Sequence, residues 1–167
     1  MWVIFPIING EMVKKATQNS FYGQYSYSID AKGRVNIPAK FRQVLSSDND
    51  NTFIITRGED NCVWAYPLVI WKKIESELSK LSAVSPSNRH FIRKTTRFAT
   101  PVQFDKQGRI MITKQLIEYA KLDKDVYIIG AFNKLEIWNP ETLDKVDSGG
   151  ANLDTATLHE LAKEIIL

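Results

Sequence analysis

Cysteine is almost missing from this chain. Cys62 stands alone among 167 residues, so no internal disulfide can form and a disulfide-held scaffold is excluded. A lone thiol suits a reducing compartment, and the expected location is the cytoplasm. Histidine is nearly as scarce. His90 and His159, with one cysteine, are too few for a Cys/His zinc site, so no metal and no cofactor is expected. Long apolar runs are missing too: none approaches the ~18 residues of a membrane span, and no membrane partner is expected. The chain has no P-loop, GxGxxG or GxSxG motif. The two histidines lie far apart without a catalytic partner, and Cys62 reads as a packed strand residue. These absences exclude an enzyme, with no catalytic residue and no small-molecule substrate. A large excess of one charge is also missing: 22 Lys and Arg against 19 Asp and Glu leave only +3. With 44% apolar residues, the chain has enough to bury a core and is not a disordered polymer.

What the chain does contain is an internal repeat. Asp30-Ala-Lys-Gly-Arg34-Val-Asn-Ile37-Pro38 returns as Asp105-Lys-Gln-Gly-Arg109-Ile-Met-Ile112-Thr113, an offset of 75. Ile54 to Gly58 then answers Val126 to Gly130, and Val63 to Tyr66 answers Leu135 to Trp138, at an offset of 72. The shift of three belongs in a loop. Each copy reads as strand, turn, strand, helix, strand, turn, strand. The first strand alternates over Tyr25 to Ile29. In Asp-x-x-Gly, the carboxylate can fold back onto backbone N–H groups, and the glycine suits a left-handed residue closing a three-residue bulged loop. Strand alternation then sends Val35 and Ile37 to one face and Arg34 and Asn36 to the other. Pro38 fits the first turn of a helix over Ala39 to Leu45, and the Thr113 hydroxyl fits an N-cap for Lys114 to Ala120. The remaining strands are Thr52–Thr56, Cys62–Tyr66, Val126–Ile129 and Leu135–Trp138.

Between the copies, Leu68, Trp71, Ile74, Leu78 and Leu81 recur at helical spacing. Ser85-Pro86-Ser87 breaks that helix. A second one, Asn88 to Phe98, carries Arg89, Arg93 and Arg97 on one face. Residues 71–97 hold seven basic and two acidic side chains, a local charge of +5. This face reads as solvated or paired with another subunit before it reads as a DNA contact. Residues 147–152 read as a flexible linker. Leu158, Leu161, Ala162, Ile165 and Ile166 then form one stripe of a terminal helix that docks on its own body or on a neighbour. At the other end, Trp2 to Ile8 is a short apolar run containing Pro6, with Lys14 and Lys15 after it, the wrong order for a secretory signal. It reads as an extension, or as an upstream start with Met12 as the true one.

Turn chemistry alone does not require an arginine after Asp-x-x-Gly, yet both copies have one. The loops expose Lys32, Arg34, Lys106 and Arg109. Arginine presents a planar fork for phosphate or guanine, and lysine adds point charge against a phosphate backbone. Strand-borne loops of this kind suit a β-ribbon reader of the major groove.

Phe21-Tyr-Gly-Gln-Tyr25, Asp30 to Arg42, Cys62-Val-Trp-Ala-Tyr-Pro67 and Phe132 to Trp138 together resemble the MraZ family. These are bacterial transcriptional regulators with two tandem SpoVT-AbrB domains, and the similarity covers about residues 21 to 146. The resemblance implies a mainly β, α+β fold in which two AbrB-like swapped-hairpin units form one pseudo-dimeric barrel, with helices between and after them. It divides the chain into an extension (1–20), a first domain (24–69), a helical connector (70–97), a second domain (98–141) and a linker with terminal helix (147–167). It implies a nucleoid-associated, ring-shaped homo-oligomer. This ring binds double-stranded DNA at short direct repeats and represses the division and cell-wall gene cluster, its own promoter included. Lys32, Arg34, Lys106 and Arg109 then contact DNA, while Asp30, Gly33, Asp105 and Gly108 shape the loops. Gln107 stands where the first copy has Lys32, which implies weaker binding by the second loop. The alternative is an oligomeric interaction scaffold or an antitoxin-like AbrB protein.

Overall fold

The computed structural model describes residues 17–150 and 154–165. Its strands are β1 (Phe21–Ser28), β2 (Arg34–Asn36), β3 (Thr52–Arg57), β4 (Val63–Pro67), β5 (Thr100–Gln103), β6 (Arg109–Met111), β7 (Asp125–Phe132) and β8 (Lys134–Trp138). Its helices are α1 (Ala39–Gln43), α2 (Leu68–Ser79), α3 (Pro86–Thr96), α4 (Lys114–Tyr119), α5 (Pro140–Lys145) and α6 (Thr155–Ile165).

Six strands form an antiparallel sheet in the order β1-β7-β8-β4-β3-β5, and β2 and β6 form a separate ribbon. The repeat maps β1 onto β5, β2 onto β6, β3 onto β7 and β4 onto β8. Exchanging every strand for its counterpart returns the same order read from the other edge, so the two copies are related by a pseudo-twofold axis. The copies interleave. β1 pairs with β7 from Phe21↔Phe132 to Ser28↔Asp125, and β5 pairs with β3 in the mirror arrangement. β4 meets β8, and β2 meets β6, across the axis. β1 runs into β2 through an Ile29↔Val35 bridge, and β5 runs on into β6, so the ribbon joins the two open edges of the sheet. The α+β fold of interleaved hairpins is therefore present, with neither copy holding a complete sheet of its own.

The ribbon and the sheet enclose one core. Val35 and Ile110 are paired at the ribbon's centre and are almost fully buried, together with Phe21, Phe53, Ile128 and Ile137. Phe41 of α1 meets the Phe21 ring edge-on at 5.5 Å, a geometry that aromatic quadrupoles favour. α2 begins without a side-chain cap from its own N-terminus. Instead the buried Asn49 amide oxygen accepts the Val69 N–H at 3.0 Å, while its NH2 group donates to Asn19 Oδ1 at 2.8 Å. Every polar end of this buried amide is thus satisfied, as burial requires.

Several local expectations are corrected. Pro38 sits at the N-cap of α1, one residue before its first turn, and the Thr113 hydroxyl makes no capping bond. The backbone explains both: the Pro38 carbonyl accepts the N–H groups of Phe41 and Arg42, and the Thr113 carbonyl those of Leu116 and Ile117. Ser85-Pro86-Ser87 does not only end a helix but starts the next, since Ser85 caps α3 and Pro86 takes its first position. The chain after α5 stays helical into the expected linker and kinks at Gly149, at φ 91°. The rest of that linker at 151–152, the run Trp2 to Ile8, Met12 and Ile166 lie outside the described residues. Leu158 and Leu161 of α6 are half exposed. Among the described residues, no helix is long and apolar enough to cross a membrane.

Interleaving predicts one cooperative unfolding event. Ile110→Ala should cost about 2–5 kcal/mol, the usual range for truncating a buried aliphatic side chain. In urea, circular dichroism and tryptophan fluorescence should shift together. Separate transitions for the two halves would contradict the shared core.

Candidate nucleic-acid interface

Each Asp-x-x-Gly-Arg segment closes a hairpin at one end of the ribbon. In the first, the Gly33 N–H donates to the Asp30 carbonyl at 2.9 Å and the Asp30 N–H to the Arg34 carbonyl at 3.0 Å. Asp30 Oδ1 accepts the N–H groups of Lys32 and Arg34, both at 2.9 Å, and Arg34 Nε donates to Asp30 Oδ2 at 2.7 Å. The second loop repeats this set. Asp105 Oδ1 accepts from Gln107 and Arg109, and Arg109 Nε donates to Asp105 Oδ2 at 2.7 Å. Arg109 Nη1 also lies 3.9 Å from Asp30 Oδ2, so one carboxylate faces both arginines. The Arg34 N–H, the Arg34 guanidinium and the Lys32 N–H hold the Asp30 carboxyl below its ordinary range against a smaller opposing effect of desolvation; the equivalent groups of the second loop do the same for Asp105. Both carboxylates stay charged and fix their arginines by the Nε edge. Both terminal nitrogens of Arg34 are left for a planar acceptor, while Arg109 keeps one, its Nη1 facing Asp30.

Glycine is required at both loops. Gly33 and Gly108 have φ values of +79° and +78°, left-handed conformations that L side chains rarely adopt. A β-carbon on Gly33 would also lie 2.9 Å from the Ile112 carbonyl oxygen, which accepts no displacement because the two copies are stitched together there. The Gly33 carbonyl accepts the Ile112 N–H at 2.8 Å, and the Gly108 carbonyl accepts the Ile37 N–H at 3.1 Å. Each loop is thereby bonded to the other copy's strand.

The eight residues expected at the site therefore fall in one neighbourhood, at the two ends of a three-residue ribbon. Lys32 and Lys106 are exposed as expected, but the Arg34 and Arg109 side chains are only 30% and 22% exposed, because each lies against its loop aspartate. Gln107 is exposed and its side chain leaves the loop geometry unchanged. Cys62 is buried just before β4, its thiol donates to the Glu59 carbonyl, and burial pushes its pKa up, the opposite of an activated thiolate.

Three residues near the loops were not among those expected. Arg42 of α1 lays its guanidinium against Gly108, where a β-carbon would come 2.5 Å from Cζ, while its Nε donates to the Ile37 carbonyl at 3.1 Å. It supplies the second loop with a cation from the first copy. Its counterpart at the repeat offset is Ile117, which packs over Gly33 instead. Asn36 and Met111, paired with Arg109 and Arg34, are exposed on the ribbon's outer face. Alternation along the strands carries the signal for Asn36 and Met111. Arg42 had none, because its contact crosses between copies.

A family model described as "MraZ protein, putative antitoxin-like" matches residues 20–94 and 96–159. The chain belongs to the MraZ family. The two matched segments of the MraZ model each contain one of the Asp–Arg loops. A protein named transcriptional regulator MraZ from Acetivibrio thermocellus is 44% identical over 140 residues, covering 84% of this chain and 94% of its own. One of the same name from Halothermothrix orenii is 45% identical over 119 residues, covering 71% and 80%. A third from Pediococcus pentosaceus is 41% identical over 131 residues, covering 76% and 89%.

The lowered carboxyl values set a pH dependence. A folded value below the unfolded one stabilises each loop fully above the unfolded aspartate range, and the contribution is lost as pH falls through the lowered folded values. Carboxyl NMR titration should place the Asp30 and Asp105 midpoints below the unfolded value. Arg34→Ala should move the Asp30 midpoint upward; an unmoved midpoint would show that the guanidinium does not brace the loop.

Proposed function

We propose that this MraZ family member is a sequence-specific DNA-binding transcriptional regulator that reads the major groove with the β2–β6 ribbon. One observation carries the reading: two arginines, each braced by its own aspartate, meet on a single ribbon, and among the described residues three of their four terminal nitrogens stand outside any ion pair. Antiparallel ribbons are among the elements that fit a major groove, and arginine forks pair with guanine O6 and N7. Arg34 and Arg109 take the base-reading role, Lys32, Lys106 and Arg42 approach phosphates, and Asp30, Gly33, Asp105 and Gly108 hold the loops. The carboxylates face their arginines and not the DNA, since a bare carboxylate near phosphate is repelled. The relatives' shared designation as transcriptional regulators supports the same reading.

The finer assignment follows the family resemblance. The units at 24–69 and 98–141 act as SpoVT-AbrB domains of a ring-shaped homo-oligomer at the nucleoid. This ring binds short direct repeats and represses the division and cell-wall gene cluster together with its own promoter. One ribbon offers few base contacts, so repetition around an assembly raises affinity through effective concentration.

A mobility-shift experiment on the DNA upstream of the gene tests the roles. Arg34→Ala and Arg109→Ala should each cost roughly 1–3 kcal/mol of specific binding. Arg42→Ala should weaken binding evenly across sequences and flatten the salt dependence by about one unit of slope. Equal retention by wild type and the Arg34→Ala/Arg109→Ala double variant would remove the assignment.

The half-exposed Leu158 and Leu161 favour a second reading, in which α6 joins copies or holds a protein partner. Light scattering on the full chain and on a version ending at Val146 separates the cases. Loss of assembly in the shorter version assigns α6 to the contact between copies, and an unchanged subunit number frees it for other partners.

A further inference from the structure

The pseudo-twofold symmetry of the ribbon is broken on its outer face. Arg34 and Arg109 are equivalent by the repeat, but the next outward positions are not: the first copy has Asn36 and the second has Met111. The antiparallel register crosses them, setting Asn36 opposite Arg109 and Met111 opposite Arg34. The outer face is therefore two unlike pairs, an arginine with an amide and an arginine with a thioether. Neither extra residue serves the core, which is filled from the other side by Val35 and Ile110. Met111 is 54% exposed, among the few large apolar side chains left open to solvent in the described residues. Asn36 is exposed, and no hydrogen bond or ion pair engages its amide among the described residues.

We infer that Asn36 and Met111 are specificity-determining residues that read unlike base pairs beside the two arginine contacts. This rests on the ribbon being the DNA-reading element. An asparagine amide matches the N6 donor and N7 acceptor of adenine, and an apolar side chain matches the thymine methyl group. Beside Arg109 the ribbon then calls for an adenine, and beside Arg34 for a thymine. The two halves of the recognised sequence differ for this reason, and the ribbon distinguishes one orientation of the duplex from the other.

The test is selection from duplexes whose randomised core spans about two helical turns. The full chain is used as wild type, Asn36→Ala, Met111→Ala and the exchanged Asn36→Met/Met111→Asn. Both positions are exposed, so the variants should melt with the wild type. Asn36→Ala should relax the preference beside one guanine contact by about five- to hundred-fold, the range of one good bidentate pair. Met111→Ala should relax the preference beside the other by less. The exchanged variant should interchange the two preferences, while affinity for an unselected duplex stays at the wild-type level. An identical motif from all four proteins overturns the inference and leaves the regulator reading standing. A parallel loss of selected and unselected binding overturns it too, by assigning the residues a structural role. A wild type that yields no motif removes both readings together.

Discussion

The antiparallel pairing of β2 with β6 is the contact on which everything else in this molecule depends. Three residues from each copy form it, with Val35 opposite Ile110 at its centre. Those two side chains point inward and seal the core. Arg34 and Arg109 flank them on the opposite face. Strand alternation makes the two functions inseparable, since any slip of one residue would send arginines into the core and aliphatic groups to solvent. The bonds from Ile112 to Gly33 and from Ile37 to Gly108 extend the ribbon into the loops, so the loops are held by the same register.

The modest charge of the chain fits this arrangement. Residues 21–70 and 98–147 are close to neutral, and the excess of basic groups lies in the connector. Non-specific attraction to a polyanion grows with the number of phosphates neutralised, and two near-neutral units neutralise few. Each loop spends one acidic side chain on each arginine and lowers its net charge further. What it gains is orientation: a fork fixed at Nε loses less freedom on meeting a planar acceptor than a free one does. Arg57 is spent differently, stacked 3.5 Å from the Phe98 ring centroid and 4.5 Å from that of Tyr119. Arg57 of β3 thereby ties α4 and the segment that follows α3 to the sheet by cation–π contact.

The repeat made much of this legible. Asp, Gly and Arg at fixed spacing specify a bulged loop almost by themselves, and alternation gave the inward and outward residues of β2 and β6. The unit of strand, turn, strand, helix, strand, turn, strand is likewise local. Partnership between strands is not local. Periodicity could not show that β1 pairs with β7, and interleaving entered only through the family resemblance. Arg42 stayed hidden for that reason: its neighbour Gly108 is 66 positions away and belongs to the other copy. Thr113 misled for a different reason, because a residue type favoured at caps says nothing of whether its hydroxyl is needed once the carbonyl has collected the first-turn bonds.

The two interleaved units are also one covalent chain, joined through α2 and α3. Folds of this kind made from separate subunits must meet in solution before a ribbon exists, and they lose it on dilution by mass action. Here the partner strand arrives with the first, at a ratio fixed by translation. The paired loops are therefore present in every molecule however few copies a cell contains.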